Sequence, residues 1–213
     1  MAHPKHARKY PRTVHLPWSP GATDDDIRCT SVALFEGREV VVTEKLDGEN
    51  TSIYRDGCHA RSIDGRHHPS RDWVKGLQAR IGHEIPEGWR LCGENLYARH
   101  SIAYDELAGY FYLFSVWNQE NHCLSWAETE EWAELLDLPL PQILYRGPWD
   151  AATVEGLTLD TSTMEGYVVR VADGFRFEDF SRSLAKWVRP SHVTTESHWM
   201  HGPVVPNGLK DQA

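Results

Sequence analysis

The sequence predicts an α+β domain built on antiparallel sheets with flanking helices. Short β-prone runs separated by turn residues outnumber the helical patterns, and the few helical patterns have an apolar face or a clear cap. A length of 213 residues, of which 40% are hydrophobic and 25% charged, is enough for one globular domain with its own core. The same composition excludes a wholly disordered chain, a collagen and a coiled coil.

The predicted strands begin after an N-terminal arm. Residues 11–26 are rich in Pro, Gly and Asp, which predicts an extended arm or loop. The run Val40-Val41-Val42 predicts a buried strand, Asp47-Gly48 a turn, and residues 51–55 the strand that returns from it. Asp56-Gly57 predicts a second turn. The predicted strands are 39–45, 51–55, 58–62, 89–96, 110–117, 164–171 and 184–188.

Three helices are expected between these strands. Residues 71–81 carry apolar side chains on one helical face. A capping box, the sequence SWAE, opens a second helix over 125–137, and a proline favours a short third helix over 148–157. Because periodicity disappears near residue 190, we expect one domain with its N-terminal arm over 1–190 and an irregular C-terminal tail over 191–213.

The charge is acidic overall but unevenly distributed. The net charge is −9, from 22 Lys+Arg against 31 Asp+Glu, and acidic residues concentrate between Glu120 and Glu165. This balance excludes a broad, non-specific nucleic-acid coat, which needs a large basic excess. Basic residues that recur between Lys45 and Arg80 still allow a focused positive surface for phosphates.

Sequence features also bear on compartment. No apolar run approaches the ~18 residues of a membrane span, and the basic N-terminus has no apolar core of a secretory signal. The four cysteines form no C-x-x-C pair, which argues against a zinc site and fits a reducing cytoplasm. We therefore expect a cytoplasmic protein that does not contact a membrane.

The stretch from Glu44 to Asn50, EKLDGEN, is the most informative one. Lys45 ends an apolar strand beside a tight turn, a position that suits a nucleophilic amine. Free lysine has a pKa of about 10.4, so such an amine needs desolvation or nearby positive charge to react near neutrality. Taken alone, the pattern K-x-D-G fits a surface lysine beside a hairpin turn better than a nucleophile, because four residues are a weak signal.

Further motifs follow in an order that is improbable by accident. They are Arg61-Ser62, Glu94 within GENLY, Phe114 within an aromatic strand, Glu165 to Val168 as EGYV with Arg170 after it, and Lys186 in a late strand. Each has a structural explanation when taken singly, as a core ring, an edge carboxylate or an ion-paired cation. Arg66 and Arg71, in and after a polar loop, are candidates to hold a 5′-phosphate or a leaving pyrophosphate.

This order resembles the covalent nucleotidyltransferase superfamily of ATP-dependent ligases and mRNA capping enzymes. The resemblance runs from about Val40 to Arg189 and is strongest to the RNA ligase 2-like group, because Asn50 lies five residues after the lysine and the fifth motif reads EGYV. It implies a nucleotidyltransferase domain of the ATP-grasp-like ligase adenylation type. Too few residues follow Lys186 for the OB-fold domain that DNA ligases and capping enzymes append.

The resemblance implies an ATP-dependent RNA ligase, of the kind used in RNA repair, that seals 3′-OH and 5′-phosphate ends. Lys45 would form lysyl-AMP with ATP, and the AMP would pass to the 5′-phosphate, with Mg²⁺ or Mn²⁺ present. The implied nucleotide contacts are Glu44 to the adenine amino group, Arg61 and Glu94 to the ribose, Phe114 and Val168 around the base, Glu165 toward the metal directly or through water, and Lys186 to the α-phosphate. Asn50, Arg66 and Arg170 would contact the strand ends. Lys186 and the metal would also lower the pKa of Lys45.

Two departures and several alternatives accompany this interpretation. Val188, followed by Arg189, stands where a second lysine is usual, and Ser115 stands where an aspartate is common. A compact DNA or RNA/DNA hybrid ligase is the nearest alternative, and a non-catalytic nucleotide- or RNA-end-binding module is a second one. GTP-dependent capping is disfavoured by the lack of a second domain. Two terminal segments are further candidates for contact with nucleic acid: the arm at 9–12 and the tail at 198–200. A separate protein that binds strands or processes their ends is a candidate partner.

Overall fold

The computed structural model describes residues 4–63, 68–190 and 203–210. In chain order the described strands are β1 (Val14–His15), β2 (Glu39–Lys45), β3 (Glu49–Tyr54), β4 (Gly57–Ala60), β5 (Arg90–Asn95), β6 (Phe111–Trp117), β7 (His122–Cys123), β8 (Ile143–Pro148), β9 (Gly166–Val171), β10 (Phe175–Arg176) and β11 (Leu184–Val188). The described α-helices are α1 (Asp72–Ile81), α2 (Trp126–Leu136) and α3 (Ala151–Glu155). The predicted α+β class with antiparallel sheets is confirmed.

The described strands form two sheets. Sheet A has the order β1-β11-β9-β2-β8, and sheet B has the order β10-β7-β6-β5-β3-β4. Every pairing is antiparallel except that of β1 with β11, which is parallel. All seven predicted strands are present, and two of them, Glu39–Lys45 and Leu184–Val188, have the predicted bounds.

The predicted pairing of the strands on either side of Asp47-Gly48 is wrong. β2 pairs with β8 and β9 in sheet A, whereas β3 pairs with β4 and β5 in sheet B. The turn therefore carries the chain from one sheet to the other instead of closing a hairpin. A Cβ on Gly48 would lie 2.6 Å from the carbonyl oxygen of Asn95, so only glycine allows the turn to pass this close to β5.

Four of the described strands lie outside the predictions. β1 lies within the stretch predicted as arm or loop, and the short β7 and β10 have no periodic pattern to reveal them. β8 is an edge strand of sheet A whose residues are all exposed or half-buried, so the alternation of buried and exposed side chains that reveals a strand is lacking.

Helices α1 and α2 pack against one face of sheet B. Val74, Leu77 and Ile81 of α1 and Ala133 and Leu136 of α2 pack in one cluster with buried side chains from β3, β5 and β6. The predicted capping box is confirmed: the backbone N–H of Glu128 donates to the hydroxyl of Ser125 at 3.2 Å, and the N–H of Ser125 donates to the carboxylate of Glu128 at 2.8 Å. Both helices thus stabilise the sheet whose other face carries part of the cavity described below.

Residues 203–210, within the predicted tail, pack back onto the domain. They form no helix or strand, but Pro206 pairs with Ala98 and Leu209 with Leu107 as isolated bridges. Asn207 is buried, and its side-chain amide donates to the carbonyl of Leu96 at 2.7 Å. In the described part of the chain, no helix combines the length and the apolar character needed to cross a bilayer.

Candidate active site

A cavity of about 800 Å³ is lined by residues of both sheets and of the N-terminal arm. The register of sheet A explains one wall. Thr43 of β2 lies opposite Val168 of β9, which lies opposite Lys186 of β11, so these three side chains share one face. Lys45, two residues after Thr43, faces the same way and lies opposite Gly166. Three motifs that are far apart in sequence therefore meet on this wall.

The described members of the predicted set meet at the cavity. Its lining includes Lys45, Glu44, Asn50, Arg61, Glu94, Phe114, Val168, Arg170 and Lys186. Glu165 contacts the cavity through the amine of Lys45, which donates a hydrogen bond to its carboxylate. Arg66 lies outside the described residues.

Lys45 is positioned by the turn that follows it. The carboxylate of Asp47 accepts from the backbone N–H groups of Ser101 and Ile102, each at 2.8 Å, and from the hydroxyl of Ser101 at 2.6 Å. The N–H of Asp47 donates to the hydroxyl of Tyr104 at 2.9 Å. The aspartate of K-x-D-G is therefore an anchor that fixes the end of β2, and the side chain of Lys45 emerges from a rigid support.

The carboxylates around Lys45 determine the direction of its pKa shift. Burial disfavours the ammonium form, but the carboxylates of Glu165 and Glu94 favour it more strongly, so the pKa of Lys45 is raised. The predicted lowering of this pKa requires a bound metal and stays a prediction. Lys186 behaves in the opposite way: burial and then the charge of Lys45 lower its pKa.

Glu94 and Asn50 line the cavity from sheet B. They are direct partners in the pairing of β5 with β3, so their side chains lie side by side on the same face of this sheet. Burial, opposed by Lys45 but reinforced by the negative charges of Glu165 and Asp47, raises the pKa of Glu94 to about 8. The side-chain oxygen of Asn50 is buried and has no hydrogen-bond partner among the described residues. An unsatisfied acceptor of this kind is ready to bind a donor on a ligand.

The carboxylates beside Lys45 suit a divalent cation. Glu165 lies close enough to Glu94 to disfavour the charged form of Glu94, and a cation bound beside Glu94 would favour that form. Among the described residues, no group of three or more His, Cys, Asp or Glu side chains could hold a metal ion alone. A metal here therefore needs water or phosphate ligands, as Mg²⁺ commonly does.

Phe114 owes its position to a β-bulge. Between β5 and β6, Cys92 pairs with Ser115 and Gly93 pairs with Leu113, so Phe114 is the extra residue. Bulges redirect side chains at functional sites. The ring of Tyr10 packs edge-on against Phe114 with 5.5 Å between ring centroids, so the arm fixes the orientation of this aromatic wall.

Arg170 lines the cavity, but its guanidinium is used within the protein. Its N–H groups donate to the carbonyls of Val171 and Phe114, each at 3.2 Å, and of Leu124 at 2.5 Å. Only 4% of the residue is exposed. These contacts join β9 to β6 and to the segment before α2, so the structure shows a structural use of Arg170, and its predicted contact with strand ends stays a prediction.

The other predicted cations, Arg71 and Arg61, differ in the protein groups that they contact. The guanidinium of Arg71 forms an ion pair with the carboxylate of Glu49, with three N···O distances of 2.7 to 3.0 Å. Arg61 is half-buried and donates to the backbone carbonyl of Tyr10 at 3.4 Å. Glu44 lines the cavity near Pro141, and burial raises the pKa of its carboxyl.

The two departures from the superfamily pattern have structural counterparts. Val188 is buried, and Arg189 lies outside the cavity lining and donates to the carbonyl of Thr161 at 2.8 Å. Arg189 is thus not placed to line the cavity, and Lys186 is the cation that β11 contributes to it. Ser115 is buried and accepts a hydrogen bond from the indole of Trp117 at 3.1 Å.

Sequence reasoning assigned no site role to Trp126, His100 or Thr43, which line the cavity. Trp126 is 1% exposed, and its indole N–H has no acceptor among the described residues. Its place at the first turn of α2, inside a clear capping box, gave no hint of a ligand site. Only the placement of α2 across the end of the cavity brings this indole to the wall.

The sequence profile of the RNA ligase family matches residues 38–188, which is most of the chain. This chain belongs to the RNA ligase family. A search of curated proteins found no match.

Solved RNA ligases share the fold at low identity. A Naegleria gruberi RNA ligase with PPi has 18% identity and a TM-score of 0.54 over 87% of this chain and 57% of that chain. A mutant of a Naegleria gruberi RNA ligase with ATP and Mn has 16% identity and a TM-score of 0.56 over 89% and 58%. An archaeal ATP-dependent RNA ligase has 16% identity and a TM-score of 0.57 over 85% and 48%. This chain thus spans about half the length of the solved ligases that it matches.

Proposed function

We propose that this member of the RNA ligase family is an ATP-dependent polynucleotide ligase, with RNA as its substrate, that joins 3′-OH and 5′-phosphate ends. The observation that carries the proposal is the convergence of Lys45, Glu94 and Lys186 on one cavity, with the carboxylate of Glu165 bound to the amine of Lys45. An amine, two carboxylates and a second cation are the groups that metal-assisted attack on a phosphate requires. The family match and the solved ATP-dependent ligases of the same fold support the same reaction.

In the first step, the amine of Lys45 attacks the α-phosphorus of ATP. A nitrogen–phosphorus bond forms, the bond from the α-phosphorus to the bridging oxygen breaks, and pyrophosphate leaves with the electron pair. The amine must lose a proton before or during attack, and the carboxylate of Glu165 already accepts its hydrogen bond. The charge of Lys186 stabilises the α-phosphate oxygens.

The metal is proposed to be Mg²⁺ or Mn²⁺, held through Glu165 with water and phosphate ligands. When bound, it supplies positive charge that neutralises the phosphates and lowers the pKa of Lys45. Glu94 is the second carboxylate that would face this charge. Burial is the main cause of its raised pKa, and a bound cation would favour its charged form.

The adenosine is proposed to occupy the side of the cavity lined by Phe114 and Val168. The ring of Phe114 and the branched side chain of Val168 would enclose the base, and stacking of this kind contributes about 1–3 kcal/mol per base. The buried carboxyl of Glu44 would accept from the adenine amino group. Arg61 and Glu94 would hold the ribose.

Two further steps complete the proposed reaction. AMP passes from Lys45 to the 5′-phosphate of a strand, and the 3′-OH of a second strand then displaces AMP. The unsatisfied oxygen of Asn50 is the group we assign to the strand ends. Arg66 and Arg170 are also proposed to contact the strand ends. The guanidinium of Arg170 already donates to three backbone carbonyls of the protein.

The decisive experiment is covalent labelling of the protein with α-labelled ATP and Mg²⁺ or Mn²⁺. Wild type should form an acid-labile protein–AMP adduct, and Lys45→Ala should abolish it. Lys75→Ala is the matched control, because this lysine lies on α1 outside the cavity and pairs with Asp72. Labelling with GTP instead of ATP would indicate capping chemistry. If the wild-type protein formed no adduct, the ligase proposal would be wrong and a non-catalytic binding module would be the remaining alternative.

A substrate panel fixes the strand class. The panel consists of nicked and single-stranded RNA, DNA and RNA/DNA hybrids, each with a 5′-phosphate. We expect the fastest joining when both strands at the junction are RNA. Faster joining of DNA or hybrid ends would contradict the proposed RNA preference while it preserved the proposed ligase chemistry.

A further inference from the structure

The N-terminal arm forms part of the cavity although it precedes the region that matches the family. Residues 9–13 line the cavity, whereas the family match begins at residue 38. The arm is held in place by Tyr10, which is 6% exposed and packs edge-on against Phe114 and Phe180 at centroid distances of 5.5 and 5.2 Å. Tyr10 therefore holds the backbone of the arm at the wall, and the exposed side chain of Arg12, two residues later, lines the cavity.

Four cations lie together on this side of the cavity. Lys9 and Arg12 come from the arm, Arg61 follows β4, and Lys186 lies on β11. Arg61 donates to the carbonyl of Tyr10, which brings the arm and the strand motif into contact. Burial and then the charge of Arg12 lower the pKa of Arg61, so the two guanidinium groups are close enough to repel each other.

Neighbouring carboxylates offset the charge of these cations only in part. Among the described residues, Arg12, Arg61 and Lys186 form no ion pair. The charge of Asp26 acts to raise the pKa of Arg61 and of Lys186, but both pKa values remain lowered. Asp25 and Asp26 also line the cavity, but Arg12 donates to the backbone carbonyl of Asp25, at 3.4 Å, and not to its carboxylate.

Asp26 is occupied by other groups. Its carboxylate accepts from the N–H and the hydroxyl of Thr23 at 3.1 and 3.0 Å, and it lies 3.6 Å from the ring of His15. Like charges that are brought together with only partial compensation disfavour each other, and a bound anion would relieve the repulsion.

We propose that Arg12, together with Arg61 and Lys9, forms a phosphate-binding wall that holds a phosphate other than the one attacked by Lys45. The identity of that phosphate rests on the proposed function, which offers two sources of the same chemistry: the pyrophosphate part of ATP and the 5′-phosphate of a strand end. The planar guanidinium groups of Arg12 and Arg61 match the geometry of phosphate oxygens. The arm therefore completes the site that the family motifs begin.

The test measures binding to the whole protein by calorimetry, without catalysis. The probes are sodium pyrophosphate with Mg²⁺, a 5′-phosphorylated oligoribonucleotide, and the same oligoribonucleotide with a 5′-hydroxyl. Arg12→Ala should weaken binding of at least one phosphate probe about tenfold, which corresponds to one lost charge-assisted contact. Arg12→Lys should lie between Arg12→Ala and wild type because the charge remains and the planar fork is lost.

Arg8→Ala is the matched control, because Arg8 lies in the same arm and outside the cavity. A selective loss of pyrophosphate binding assigns the wall to the nucleotide, and a loss confined to the 5′-phosphorylated strand assigns it to the strand end. If Arg12→Ala matches Arg8→Ala with every probe, the proposal is wrong. Since binding is measured without adduct formation, a protein that binds these phosphates but never forms lysyl-AMP would overturn the proposed ligase activity and not this site.

Discussion

Replacing Arg170 by methionine separates a structural role from a substrate-binding one. The substitution keeps much of the apolar length but removes a guanidinium that donates to the carbonyls of Val171, Phe114 and Leu124. A hydrogen bond from a charged donor contributes about 1.5–3 kcal/mol. Because contributions within one connected group are not additive, we expect the free energy of unfolding to fall by about 3–5 kcal/mol.

Urea unfolding followed by tryptophan fluorescence measures this loss. The control is Arg146→Met, which removes an exposed guanidinium paired with Glu130 and should change the free energy of unfolding by less than about 1 kcal/mol. Because the carbonyl of Phe114 is one of the lost partners, Arg170→Met should also raise the KM for ATP in adduct formation. An Arg170→Met protein that is as stable as wild type and forms the adduct normally, but fails to join strands, would refute the structural reasoning in favour of substrate contact.

Three other outcomes follow from the charges and packing of the site. The pKa of Glu94 is raised to about 8, so the stability linked to its neutral form is fully present below about pH 4.3 and is lost as the pH rises through 8. The free energy of unfolding should fall by at most about 4–5 kcal/mol over this range. Denaturation at a series of pH values without added metal should show that Glu94→Gln removes this fall. Gly166→Ala would put a Cβ 2.0 Å from a backbone carbonyl oxygen of β11 and should destabilise the protein by at least about 2 kcal/mol in thermal unfolding, whereas Gly76→Ala, in open space on α1, should stabilise it by about 0.5–1 kcal/mol. Glu165→Gln removes the strongest support for the charged form of Lys45, so the rate of adduct formation, plotted against pH, should have its midpoint at a lower pH even if the maximal rate falls.

The sequence alone allowed us to predict which residues sheet A contributes to the cavity. Lys45, Val168 and Lys186 each lie in strands with clear β-prone runs, and the order of their motifs gives their functional grouping without knowledge of the pairing. The register then places them side by side, since Thr43 opposes Val168 and Val168 opposes Lys186. Local pattern and motif order are enough here because each residue projects from a regular strand.

The sequence was insufficient wherever long-range contacts decide the outcome. Asp47-Gly48 has the composition of a hairpin turn, yet the aspartate binds the backbone at Ser101 and Ile102, and the chain crosses between sheets. Such contacts carry no local pattern. Arg170 illustrates the same limit: an arginine at the end of a binding motif suggests a ligand contact, whereas the carbonyls that occupy it belong to distant segments.

The contact between Lys45 and Glu165 has a consequence for how the proposed reaction begins. Nearby carboxylates hold the amine in its charged form, which is not nucleophilic. ATP alone would add further negative charge and strengthen that form. A metal bound with the nucleotide would act in the opposite direction, because it would compete for the carboxylate of Glu165 and add positive charge beside the amine. Under the proposed function, we therefore expect Lys45 to be activated by the metal–nucleotide complex rather than by ATP alone.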